Sequence, residues 1–134
     1  MKAARIVKLN EPLQIQELQT PTPKGAQVLV KVQSEGVCHS DVHAWEGYYE
    51  GIDGQKLTTT ERGVKYPLTP GHEIAGVVES LGEQAEGFSK NEEVIVYPWI
   101  GERLCPACRS GEENLCDRIS SISVPYMYIA MTYT

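Results

Sequence analysis

Two groups of residues in this sequence have the types and spacing for metal chemistry. Cys105 and Cys108 form a C-x2-C pair, Cys116 follows eight residues after Cys108, and Glu102 stands three before Cys105. Tight thiolate pairs suit tetrahedral zinc, which also accepts a carboxylate oxygen, and a closed set of four protein ligands marks a structural site. Two other chemistries use the same residues. A C-x2-C pair serves thiol redox exchange, but the strand-to-helix setting of that motif is missing around Cys105. A disulfide needs an oxidising compartment, and nothing in the sequence points to one.

The second group centres on the fourth cysteine. Cys38 lies in Cys38-His39-Ser40-Asp41-Val42-His43, and the third histidine lies in Gly71-His72-Glu73. Cys38 and His72 are ligand types for a catalytic zinc, which takes three protein ligands and leaves a position open. Glu73 is placed to coordinate or to stand close behind. Asp41 is a candidate acceptor for the second ring nitrogen of His72, which would fix the tautomer. Ser40 and His43 would relay a proton from hydroxyl to imidazole to solvent. The plainer reading of the same residues is a buried thiol, a helix N-cap at Ser40 or Asp41, and two surface histidines. On the residues alone both readings stand.

The elements that must carry these residues are short. Residues 4–9 and 13–18 predict two strands around the turn signal Asn10-Glu11-Pro12, with Leu13, Ile15 and Leu18 alternating against glutamines as a half-buried arm. Residues 28–33 are β-branched and apolar, a buried strand that ends at Gly36. Residues 37–47 predict a short helix presenting Val42, Ala44 and Trp45 on one face. Residues 48–70 read as one long polar loop, functional or mobile. Residues 74–81 predict a strand with Gly76 as a point of close approach, and Val94-Ile95-Val96 another buried strand. Pro98 and Trp99 lead into a lobe over 98–117. The pattern is mainly β, a small barrel with one short helix and a zinc-binding lobe. No G-x-G-x-x-G opens a helix, and no alternation of strand and helix occurs, so no Rossmann domain lies in these residues. Residues 118–134 form a divergent tail that supplies at most one strand.

Composition narrows the function classes. The 134 residues are 41% hydrophobic and 22% charged, enough for one domain with its own core. A net charge of -6 argues against nucleic acid as partner. No run has the length of a membrane span, and residues 1–8 carry no apolar signal-peptide core. Cysteines grouped at metal spacing fit a reducing cytosol, so the expected location is cytoplasmic.

With these motifs in place, the sequence resembles the zinc-dependent medium-chain alcohol dehydrogenases, most of all their archaeal and microbial NAD-dependent branch. Gly36-Val37-Cys38-His39-Ser40-Asp41-Val42-His43 resembles the first zinc motif of that family, and Pro70-Gly71-His72-Glu73-Ile74-Ala75-Gly76 resembles the second. The resemblance covers residues 1–117 and implies a GroES-like catalytic domain. It implies that Cys38 and His72 hold a catalytic zinc, that Glu73 moves onto it, and that Ser40 and His43 form the proton relay. His39 would face the cofactor pyrophosphate. Glu102, Cys105, Cys108 and Cys116 take the four positions of the structural zinc, with Glu102 where most members carry cysteine. Trp45 and Trp99 fall near the substrate cleft. The implied cofactors are zinc and NAD(P), and the implied partners are small alcohols or aldehydes and further copies of the chain.

The third catalytic ligand and the nucleotide-binding domain of the family do not follow after residue 117. The expectation is therefore a truncated enzyme that keeps the structural zinc and lacks turnover. The alternative is a non-catalytic GroES-like module for zinc binding or assembly.

Overall fold

The computed structural model of the protein describes residues 1–118, 120–121 and 129–131. The elements are β1 (Lys2–Arg5), β2 (Gln14–Glu17), β3 (Gln27–Gly36), α1 (His39–Glu46), β4 (Tyr48–Glu50), β5 (Lys56–Thr58), β6 (Glu73–Leu81), β7 (Glu93–Val96), β8 (Trp99–Ile100), α2 (Pro106–Arg109), a 3-10 turn (Glu113–Leu115), β9 (Ser120–Ser121) and β10 (Ile129–Met131). A four-stranded antiparallel sheet, in the order β10-β3-β6-β7, forms the centre, and three two-stranded ribbons surround it. Mainly β architecture with short helices is what the sequence pattern implies.

The core follows from the β-branched runs. Val28, Val30, Ile74, Val78 and Val96 pack as one buried cluster between the inward faces of β3, β6 and β7. A smaller cluster of Ile6, Ala44 and Leu68 seats α1 against the chain that leads into β6. There Ile6 and Leu68 exchange backbone hydrogen bonds at 2.8 and 3.0 Å. The Trp45 indole N–H donates to the Glu11 carbonyl at 2.7 Å, which fixes the outer end of α1.

Several expectations change. The β1–β2 hairpin forms, but Leu13 and Ile15 are exposed, because no described element covers that side. Only the first half of β3 is buried; Lys31, Val32 and Gln33 are exposed, on alternating faces. Ile95 is 87% exposed, since β7 is a sheet edge and only Val96 points fully inward. The N-cap of α1 is Cys38, not Ser40 or Asp41, with Asp41 three residues on accepting the Cys38 N–H at 3.0 Å. The stretch 48–70 is not one loop, because β4 and β5 pair within it. Its anchor is Thr59, fully buried, whose hydroxyl lies 2.8 Å from the Tyr66 hydroxyl, which donates in turn to the Ala44 carbonyl. Beyond residue 117, β9 pairs with β8, and β10 adds to the edge of β3. Tyr126, Met127 and Tyr128, part of the tail stretch read as one strand, lie outside the described residues.

Gly76 is a point of close approach. A Cβ there would lie 2.4 Å from the Lys31 carbonyl oxygen and 2.8 Å from Val30 Cγ1. β3 and β6 meet at this register, with Val32 opposite Gly76. Gly76→Ala should therefore lower the unfolding free energy by about 1–3 kcal/mol through overpacking, read as an earlier urea midpoint. An unchanged midpoint would show that the strands tolerate the added methyl.

Candidate metal centres

The first centre is built where the start of α1 meets the start of β6. Cys38 is extended, at φ -86 and ψ 154, so its side chain leaves the helix axis. Asp41, in the first turn, reaches back and across. One carboxylate oxygen accepts the Cys38 N–H at 3.0 Å, and the other accepts the Gly71 N–H at 2.9 Å. That second oxygen also lies 3.4 Å from His72 Nδ1, which turns Nε2 of the ring toward Ser40 Oγ, also at 3.4 Å. One ligand atom each from Cys38, His72 and Glu73 then lies within 4.8 Å of the other two. A hard-soft mixed set of thiolate, imidazole and carboxylate matches the donor chemistry of zinc. The Ser40 hydroxyl and backbone N–H, followed by His72, hold the Cys38 thiol below its ordinary pKa, with desolvation opposing them. A lowered thiol pKa favours the thiolate that a metal requires.

The histidines of α1 are arranged differently. His39 and His43 meet edge to face, with centroids 4.6 Å apart, and His43 lies 4.9 Å from the Tyr49 ring. His43 Nδ1 is buried without a hydrogen bond and lies 3.7 Å from a Glu46 carboxylate oxygen. The nearest described partner of the Ser40 hydroxyl is His72, and no hydrogen bond joins Ser40 to His43 among the described residues. Ser40 and His43 are three apart on α1 and so share a face.

The second centre is the lobe. Cys105 caps α2, Cys108 sits within it, and the 3-10 turn brings Cys116 back. Cys105 Sγ lies 3.4 Å from Cys108 Sγ and 3.8 Å from Cys116 Sγ. Thiolates 2.3 Å from a tetrahedral zinc stand about 3.8 Å apart, whereas a disulfide brings its sulfurs to about 2.0 Å. The three thiols are free and have the spacing for a metal. The backbone N–H groups of Glu102 and Arg118 point at Cys116 Sγ, at 3.5 and 3.4 Å, and hold its pKa down against desolvation. Desolvation and the Cys105 thiol push Cys108 the other way, to about 11. The Glu102 carboxylate is not gathered with the thiols. Its Oε2 lies 3.7 Å from Arg118 Nη1, an outward turn that no spacing rule would reveal.

Of the aromatic residues, Trp45 lines a groove on the far side of α1, and Trp99 is partly exposed on β8. Sequence reasoning passed over Glu35 and Tyr49. Tyr49 was hidden in the supposed loop. Glu35 has no motif of its own, but it pairs across the sheet with Ile74, one strand position from the His72-Glu73 step.

Comparison with known proteins identifies the domain. The family model of the alcohol dehydrogenase GroES-like domain matches residues 24–132. An NAD-dependent alcohol dehydrogenase of Saccharolobus solfataricus is 50% identical over 117 residues, covering 87% of this chain and 33% of that protein. A D-arabinose 1-dehydrogenase (NADP(+)) of the same organism is 35% identical, over 86% of this chain and 30% of that protein. The crystal structure of the alcohol dehydrogenase of Aeropyrum pernix superposes with a TM-score of 0.80 at 29% identity, covering 98% of this chain and 38% of that one. The chain thus spans about a third of the length of these relatives. No described helix is long and apolar enough to cross a membrane. With residues 24–132 matched by the family model and 87% of the chain by a relative at 50% identity, the chain belongs to the alcohol dehydrogenase family through its GroES-like domain.

Proposed function

We propose that the chain is the metal-binding catalytic domain of an NAD(P)-dependent alcohol dehydrogenase acting on small alcohols or aldehydes. The observation that carries this reading is the convergence of Cys38, His72 and Glu73 within 4.8 Å, with Asp41 oriented on His72. Those three residues would hold the catalytic zinc, and Cys105, Cys108 and Cys116 a structural one, with Glu102 swinging from Arg118 to complete it. A bound zinc supplies Lewis acidity toward the alcohol oxygen. The residues of the chain do the rest. Asp41 keeps the Nδ1 proton on His72, so Nε2 is free to donate its lone pair. The Ser40 hydroxyl, beside His72, takes the substrate proton and passes it along the face of α1 to His43. His43 is held between His39 and Tyr49. His39, exposed at the first turn, offers a ring N–H to the cofactor phosphates. Assembly into a homo-oligomer and a cytoplasmic location complete the reading.

Three outcomes test it. His72→Ala should abolish binding of one cobalt ion per chain while leaving a second, thiolate-bound ion with its charge-transfer absorption. Asp41→Asn should weaken the first ion on the order of 10-fold. Equal loss of both ions, or of neither, would refute the assignment of the two centres.

The lobe has a pH dependence of defined sign. Cys108, pushed up to about 11, is protonated at neutral pH, so metal binding must displace that proton. Apparent zinc affinity should therefore rise between about pH 6 and about pH 8, measured by competition with a chromophoric chelator. A flat profile would mean that Cys108 is not a ligand.

Assayed by themselves with NAD and ethanol or benzyl alcohol, these 134 residues should show no turnover, because no described element offers a nucleotide fold. Clear NAD reduction would contradict this.

A further inference from the structure

The last rung of the β3–β6 ladder pairs Gly36 with Glu73. From this rung the two chains part, and the ligand residues follow at once. Cys38 lies two residues beyond Gly36, and His72 is the neighbour of Glu73. Residues directly opposite in an antiparallel pair place their side chains on one face, with Cβ atoms about 4.5–5.5 Å apart. Here there is no such room. A Cβ built on Gly36 would lie 3.1 Å from Glu73 Cβ, 3.3 Å from its Cδ and 2.2 Å from its Oε2. The Glu73 side chain therefore lies along the bare Cα of Gly36, and its carboxylate fills the place of a side chain there.

Successive residues of an extended chain point to opposite faces. His72 and Glu73 are successive, yet a ligand atom of each lies within 4.8 Å of the other and of Cys38 Sγ. The glutamate reaches this triangle by folding back across the rung. Among the described residues no group donates a hydrogen bond to its carboxylate. Its place is set by the space open to it, and that space exists because residue 36 has no side chain.

Room is the only demand on Gly36. Its φ lies outside the left-handed region, so alanine fits the backbone there. Gly76 differs, because a Cβ there meets the fixed carbonyl of Lys31. At Gly36 the atom met most closely is the tip of a flexible, exposed side chain. A methyl group at this rung would displace the Glu73 carboxylate and leave the strands paired.

We propose that Gly36 is the seat of Glu73, a positioning residue whose missing side chain admits the carboxylate to the Cys38–His72 pair. The inference rests on the reading of Cys38, His72 and Glu73 as metal ligands.

The test uses the full 134-residue chain and cobalt. The difference in absorption between the parent chain and His72→Ala isolates the ion at Cys38 and His72. Glu73→Gln should weaken that ion on the order of 10-fold and shift its d–d bands. Gly36→Ala should weaken it on the order of 10-fold as well, with the same band shift, and leave the thiolate-bound ion of the lobe in place. Added to Gly36→Ala, Glu73→Gln should then change the affinity by no more than about twofold. A general loosening of the fold would instead make the two losses add. A second measurement needs no variant: in the metal-free chain, nuclear Overhauser contacts should join the Gly36 Hα protons to the Glu73 methylenes. Additive losses in the double variant, no loss from either single substitution, or absence of those contacts would overturn the seat assigned to Gly36. An ion that survives His72→Ala would instead sink the reading of the centre itself, and the seat with it.

Discussion

The structure depends most on one carboxylate. Asp41 accepts the backbone N–H of its own helix cap and the backbone N–H of Gly71, thirty residues away, and it faces the His72 ring. These contacts join α1 to the entry of β6 and set the distance between the cysteine on one and the histidine on the other. The two backbone contacts are hydrogen bonds to a charged acceptor, the stronger kind. Without that bridge, Cys38 and His72 would be held together only by the Gly36–Glu73 end of the β3–β6 ladder and by apolar packing. A metal site needs tighter tolerance than packing alone provides.

Packing nonetheless makes the bridge possible. Ile6, Ala44 and Leu68 seat the inner face of α1, and Thr59 with Tyr66 ties the β4–β5 arm to the helix carbonyl of Ala44. The same arm lays Tyr49 against His43, and the Arg62 guanidinium lies over the Tyr49 ring, 4.7 Å from its centroid. The insertion between α1 and β6 is therefore a wall of the site and holds an imidazole in place. A polar, glycine-containing composition conceals this, because the arm is anchored by one buried threonine and not by an apolar stripe.

That contrast explains what was legible in the sequence. The β3, β6 and β7 strands show as β-branched runs, and the close approach at Gly76 shows as a glycine inside one of them. The thiol spacing and the Cys38–His43 segment state their donor types openly. Three things were hidden. The exposure of Leu13, Ile15 and Ile95 depends on which neighbours cover a strand, and alternation within the strand cannot report that. The cap at Cys38 was hidden because cysteine is an unusual cap, and the helix start is set by Asp41 acting from inside. The outward turn of Glu102 was hidden because its competitor, Arg118, lies beyond the motif.

The two centres stand in opposite relations to folding. Cys105, Cys108 and Cys116 are close in sequence, so bringing them together closes only short loops, at small entropic cost. The lobe that holds them has little else: α2 and the 3-10 turn bury no residue besides Cys116 at its edge. On the proposed reading, its order would come in large part from ligation, as in other small metal-held segments. Cys38 and His72 close a loop of more than thirty residues, but the sheet register Gly36 to Glu73 and the Asp41 bridge close it first. On the proposed reading the fold would deliver those ligands and a metal would add chemistry. One centre would be stabilised by its ion; the other would be presented to it.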